Sequence, residues 1–177
     1  MKKKKITTWD ITQIGLMVAV IEVSKFLLAV FPNIELTTFW IIIFTLYFGP
    51  KVMLVIPVFI LIEGAVYGFG LWWIMYLYIW PLLSMLVLLF KKHASVWFYA
   101  VLSGLFGLFF GAMCAIPYFF IGAVGGGIRS GLTAAFTWWV AGIPFDIVHC
   151  IGNFVLMLIL YSPMTKIMNK IKKRSRL

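Results

Sequence analysis

The apolar runs of this chain are long enough to cross a bilayer and nearly free of charge, and this restricts its folds more than any other feature. About twenty apolar residues span the hydrocarbon core as a helix. Lipid offers backbone groups no hydrogen-bond partner, so a crossing segment is helical or belongs to a closed barrel. Six helical spans can be drawn, at about residues 8–31, 36–48, 52–67, 71–90, 95–121 and 132–161. Between them lie Pro32-Asn33-Ile34-Glu35, Gly49-Pro50-Lys51, Gly68-Phe69-Gly70, Lys91-Lys92-His93 and a glycine-rich loop from Gly122 to Gly131. Composition agrees: 64% of 177 residues are apolar and 11% charged, against about half and a quarter in soluble domains. The expected fold is all-α, an integral membrane bundle of six transmembrane helices forming one domain over residues 1–177.

A net charge of +10 raises nucleic acid as a partner, but the distribution of charge argues against it. Lys2 to Lys5 precede the first span, and Lys166, Lys170, Lys172, Lys173, Arg174 and Arg176 follow the last. With both termini cytoplasmic, every Lys and Arg except Lys25 and Arg129 falls on that side, as the positive-inside rule requires. An odd number of spans would put the two basic tails on opposite sides. The lysines before the first apolar run resemble a signal peptide, yet Asp10, Glu22 and Lys25 interrupt that run, so it reads as a retained first helix. Thr7 to Asp10 has the form of a capping box at its start. Cys114 and Cys150 lie in apolar segments without metal or disulfide spacing and read as buried free thiols.

Within the last span, WWVAGIPFDIVHCIGN (138–153) places Trp138, Gly142, Asp146, His149 and Asn153 within about 80° of one another on a helix. Polar groups at this depth are costly and ordinarily face a bundle interior or a wet cavity. Glu63 lies one turn before Tyr67 near the external end of the third span. Trp73, Tyr76 and Trp80 share a face of the fourth, and Tyr118 follows Pro117 late in the fifth. The expected substrate site therefore comprises Glu63, Trp73, Tyr76, Tyr118, Trp138, Asp146, His149 and Asn153. Aromatic walls with few polar groups suit a small flat ligand, and a cationic ring would add cation–π attraction and a carboxylate partner.

Blander roles compete. Trp72, Tyr78 and Trp139 read as interfacial belt residues, and Arg129 as a solvated loop charge. Asp146 and His149, at i and i+3, are spaced to pair with each other, as are Glu22 and Lys25. Pro57, Pro81, Pro117 and Pro144 each remove a helical hydrogen bond in a different span. Gly104, Gly107 and Gly111 line one face of the fifth span and suit close helix packing; Gly15 and Ala19 in the first suit either packing or a partner protein. No serine-hydrolase, HExxH, paired-aspartate or Walker signature is present. The chain is not expected to be an enzyme or to carry a cofactor.

ITTWDITQIGLMVA at the start, LYFGPK after the second span and the late CAIPYFFIG…WWVAGIPFDIVHCIGNF resemble the substrate-binding S components of energy-coupling factor (ECF) transporters, over about Thr7 to Pro163. These are vitamin-uptake systems of bacteria and archaea. The resemblance implies a multi-pass protein of the bacterial cell membrane that captures a small water-soluble vitamin or precursor from outside. Its partners would be a coupling transmembrane subunit and two ATPases. Docking would use a small-residue surface of the first helix, here Gly15 and Ala19, where the family carries an AxxxA pattern. Glu22 lies within about 60° of both on a wheel but about 10 Å further along the axis. Combined with the aromatic pocket, the resemblance implies a heteroaromatic vitamin or precursor, such as a B6- or thiamine-related compound. Two other readings stand beside this one: a self-sufficient proton-coupled transporter, and a membrane-embedded enzyme using Asp146 and His149.

Overall fold

A computed structural model describes residues 6–93 and 95–174; Lys2 to Lys5 and Arg176, expected as cytoplasmic anchors, lie outside them. The described residues form helices and turns, with no strand among them: α1 (Thr8–Leu28), α2 (Thr37–Phe48), α3 (Val52–Tyr67), α4 (Leu71–Phe90), α5 (Val96–Leu108), α6 (Phe110–Cys114) and α7 (Ile116–Arg174). Four stretches are long and apolar enough to cross a membrane: Thr8–Leu28, Thr37–Tyr67, Leu71–Phe90 and Phe110–Lys173. Val96–Leu108 is a shorter apolar helix. The molecule is thus an all-helical protein built of membrane-compatible helices.

Local chemistry explains most boundaries. α1 opens with the expected capping box: Asp10 N–H donates to Thr7 Oγ1 at 3.2 Å and Thr7 N–H to Asp10 Oδ2 at 3.0 Å, satisfying two donors a helix start leaves open. α2 and α3 are separated by a short 3-10 turn, Gly49–Lys51, entered at Gly49 with φ +61°. Gly68, at φ +87° and ψ 153°, ends α3 in a region essentially restricted to glycine.

The 95–121 run, expected as one span, is interrupted at Phe109 (φ −94°, ψ 4°) and again at Ala115. Pro117 lacks the N–H that would bond the Met113 carbonyl, and the Tyr78 hydroxyl donates to that carbonyl instead, at 2.8 Å. The expected loop from Gly122 to Gly131 is a second correction. The backbone stays helical there except at Gly126 and Gly127, the latter at φ +73° and ψ −176°. The chain doubles back on these two residues, because a Cβ on Gly131 would stand 2.6 Å from the Phe119 carbonyl oxygen. Tyr118 and Trp138 stack across the two arms with centroids 4.0 Å apart. The last helix therefore begins near residue 128 rather than 132. It continues to Arg174, so Lys166 to Lys173 are helical rather than a tail.

Contacts between helices fix their directions. Lys51 reaches Asp10 while Lys25 pairs with Glu63, so α1 and α3 run parallel. The Trp40 indole donates to Ser24 Oγ at 2.8 Å and the Tyr47 hydroxyl to the Thr165 carbonyl at 3.0 Å, so α2 descends antiparallel to α1 and alongside the last arm of α7. The Asp10–Lys51 end also holds the C-terminal basic residues of α7; the Lys25–Glu63 end is the other pole.

Ile41, Ile42, Ile43, Val52, Val55, Phe59 and Leu83 are fully buried at the centre. Around them Phe26, Leu27, Val30 and Val66 point outward, each more than 60% exposed. In water so continuous an apolar exterior would drive association; against lipid it carries no such penalty. The glycine face of α5 packs on α7: a Cβ at Gly107 would lie 2.9 Å from His149 backbone atoms and one at Gly104 3.3 Å from Phe154 Cβ.

Candidate functional site

A partly open cavity of about 320 Å³ lies at the Lys25–Glu63 pole. The segment joining α1 to α2, Ala29 through Glu35, forms one wall, turned by Asn33 at φ +60°. Opposite it stand Tyr67, Tyr76, Trp80, Phe110, Asp146 and His149. Its volume sits at the lower end of the roughly 300–1,000 Å³ typical of small-molecule sites.

Asp146 is 5% exposed, and its position follows from the break after α5. Restarting the helix at Phe110 exposes new backbone donors. Gly111 N–H donates to Asp146 Oδ1 at 2.9 Å, so a carboxylate from α7 caps α6 from outside. Only glycine allows this, since a Cβ at residue 111 would lie 2.4 Å from Asp146 Oδ2. Oδ2 itself has no hydrogen-bond partner, and neither has the buried Trp80 Nε1.

The i, i+3 spacing suits a pair between Asp146 and His149, but His149 Nε2 stands 3.2 Å from Glu35 Oε1 instead. Glu35 also accepts from Thr37 N–H at 2.7 Å, from Thr38 N–H at 3.3 Å and from the Thr38 hydroxyl at 2.8 Å, capping α2. Burial opposes ionisation of Glu35, but the neighbouring His149 imidazole, with the Thr37 and Thr38 donors, outweighs it and holds the carboxyl at about 2.

Lys25, likewise spaced to pair with Glu22, pairs instead with Glu63 of α3. Its ammonium sits 5.3, 5.8 and 5.6 Å from the ring centroids of Phe59, Tyr67 and Tyr76. Glu22 lies beside Glu63, with its Oε1 buried and unpartnered. Helix spacing alone could not reveal these pairings, because both cross between elements distant in sequence.

Of the eight residues expected at a ligand site, Tyr76, Asp146 and His149 line the cavity. Glu63 stands directly behind it through Lys25. Trp73 bonds the Ile60 carbonyl through its indole at 2.8 Å and packs on Phe69. Tyr118 and Trp138 spend their faces on each other, with Trp138 43% exposed. Asn153 lies deeper between α5 and α7, where Ser103 Oγ donates to its carbonyl at 3.2 Å. Sequence reasoning missed Glu35 and Phe110 as lining residues and left open whether Lys25 faces the pocket or a partner. Trp80 was legible on the Trp73–Tyr76 face but was not assigned to the site.

A larger cavity of about 610 Å³ occupies the opposite pole. There Lys51 donates to Asp10 Oδ1 at 2.5 Å and to Gln13 Oε1 at 3.0 Å, so these polar groups satisfy one another. The smaller cavity is the better candidate because aromatic rings wall it and two of its lining residues, Trp80 and Asp146, each keep a buried polar atom without a partner. No group of three or more His, Cys, Asp or Glu suited to a metal ion occurs among the described residues. Comparison with protein-family models, curated proteins and solved structures gives no match.

Proposed function

We propose that this protein is a solute-binding membrane subunit that captures a small water-soluble, heteroaromatic ligand in the cavity at the Lys25–Glu63 pole. It would act as the S component of an ECF-type importer in a bacterial cell membrane. The observation that carries the reading is a cavity walled by Tyr76, Trp80, Asp146 and His149 at the pole opposite Lys51 and the C-terminal basic residues. Polar groups kept at membrane depth around a hollow belong to solute handling more than to packing.

Six crossings with both termini cytoplasmic fit this reading. α1, α2, α3 and α4 would each cross once, residues 96–125 would form the fifth and residues 128–174 the sixth. The alternating directions of α1 to α3 and the reversal at Gly126–Gly127 support that count. It leaves the cavity facing outward by the positive-inside rule.

Gly15 and Ala19 support docking of a coupling subunit. Both are exposed, and a Cβ at Gly15 would meet nothing within 4 Å. ATP hydrolysis would come from the partner ATPases, since the chain carries no nucleotide loop. The test is reconstitution of uptake with a coupling subunit and ATPases. Gly15→Trp and Ala19→Trp should abolish co-purification of the coupling subunit and uptake while leaving solute binding unchanged. If both activities survive these substitutions, the docking assignment is wrong. Uptake by the isolated protein that an uncoupler abolishes would select the proton-coupled transporter instead.

A further inference from the structure

We propose that the ligand of this cavity is an organic cation whose positive group sits against Asp146, with its ring among Tyr76, Trp80 and Phe110. This rests on the cavity being the ligand site. The first observation is the distribution of charge. The chain carries fifteen Lys and Arg but only five Asp and Glu. Four of those five carboxylates, Glu22, Glu35, Glu63 and Asp146, line the cavity or stand directly behind it; the fifth, Asp10, belongs to the far pole. Against them stand Lys25 and the His149 imidazole. Lys25 answers Glu63, and His149 with the α2 donors answers Glu35. Glu22 and Asp146 have no basic side chain bonded to them, and each keeps a buried oxygen with no partner. An isolated buried carboxylate is neutralised by a proton or by a cation.

The second observation is that the protein already builds a cation seat here from its own residues. The Lys25 ammonium rests on Glu63 with Phe59, Tyr67 and Tyr76 around it, all three centroids within 6 Å. Carboxylate plus aromatic faces is the recognition chemistry of organic cations. Asp146 repeats that composition on the cavity wall. Trp80 and Phe110 lie 5.7 Å apart, Tyr76 and Trp80 5.3 Å, and Phe110 and His149 5.0 Å between ring centroids. Trp80 adds an indole face to the same wall, the aromatic surface that attracts cations best. An anionic ligand would meet Asp146, the lining carboxylate that no basic side chain answers, in a low-dielectric site where like charges repel strongly.

The test is equilibrium dialysis of the purified full-length protein in detergent micelles against an equimolar mixture of six probes. Pyridoxamine, pyridoxine and 4-pyridoxate share one ring, and tryptamine, tryptophol and indole-3-acetate another; each set is cationic, neutral and anionic in turn. The expected result is retention of a cationic member at least about tenfold over its neutral and anionic counterparts, as a buried charge partner implies. Asp146→Asn should abolish that preference. Trp80→Phe, which preserves the ring packing, should weaken retention several-fold while keeping the preference; it serves as the decisive variant if Asp146→Asn does not fold. Equal or better retention of a neutral or anionic member overturns the charge assignment and leaves the cavity's role as a ligand site standing. Retention of none of the six by the wild-type protein overturns both.

Discussion

At the scale of single residues, this protein uses glycine to bring charge and backbone together. Gly107 lies against the backbone of His149, and neither partner has room to yield. Gly107→Ala should therefore destabilise the protein by about 1–3 kcal/mol through overpacking. Gly15→Ala, in open space, should change the unfolding midpoint of the isolated protein hardly at all. Thermal unfolding in one detergent compares the two, and equal effects would mean that the α5–α7 contact is looser than described.

Glu35 gives a pH dependence at the same scale. Its folded value of about 2 lies below the ordinary 4.5. It therefore contributes stability that is fully present above pH 4.5 and is lost as pH falls toward 2. The unfolding temperature of the wild type should drop over that window, and that of Glu35→Gln should drop less. Asp146 and His149 were legible in the sequence because polar side chains inside an apolar run are conspicuous. Their partners were not: Gly111 and Glu35 lie 35 and 114 residues away, and no local spacing encodes such contacts.

Among elements, the helices were read nearly to the residue at Gly49, Gly68 and Gly70, whereas the first, expected to run to Phe31 before Pro32, ends at Leu28. The reading failed where two signals competed. Glycines at 122, 125, 126, 127 and 131 look like a loop, yet only 126 and 127 leave helical geometry. Of the rest, Gly122 and Gly131 act as small residues that let two arms approach, on Ala134 and on Phe119, while a Cβ at Gly125 would meet nothing. The break near Phe109 had no sequence signature at all; it is held by Asp146 from another helix.

Lys25 and Glu63 tie α1 to α3 in the same non-local way, and a double-mutant cycle tests the tie. Glu63→Leu alone should destabilise by about 3–5 kcal/mol, because it strands a partly buried ammonium. Lys25→Met with Glu63→Leu should recover most of that loss. Additive effects in equilibrium unfolding would show that the two side chains do not interact.

For the whole molecule, the two poles differ in kind. One gathers Lys51 and the C-terminal lysines, with its polar groups bonded to one another; the other gathers four carboxylates, a ring of aromatics and buried atoms without partners. This polarity makes an outward-facing solute site the economical account of a chain with so few acids. That the chain is helical, with several helices apolar enough to span a membrane, was legible from hydropathy. Which aromatics wall the cavity was not, since Tyr118 and Trp138 satisfy each other while Trp80 and Phe110 turn inward.

Native mass spectrometry of the protein purified in mild detergent tests the central claim most directly. The account predicts a bound small molecule released on activation from the wild type and from Gly15→Trp, but lost from Asp146→Asn and His149→Ala. A wild-type protein that folds, binds nothing from cell extract and gives the same spectrum as Asp146→Asn would contradict it.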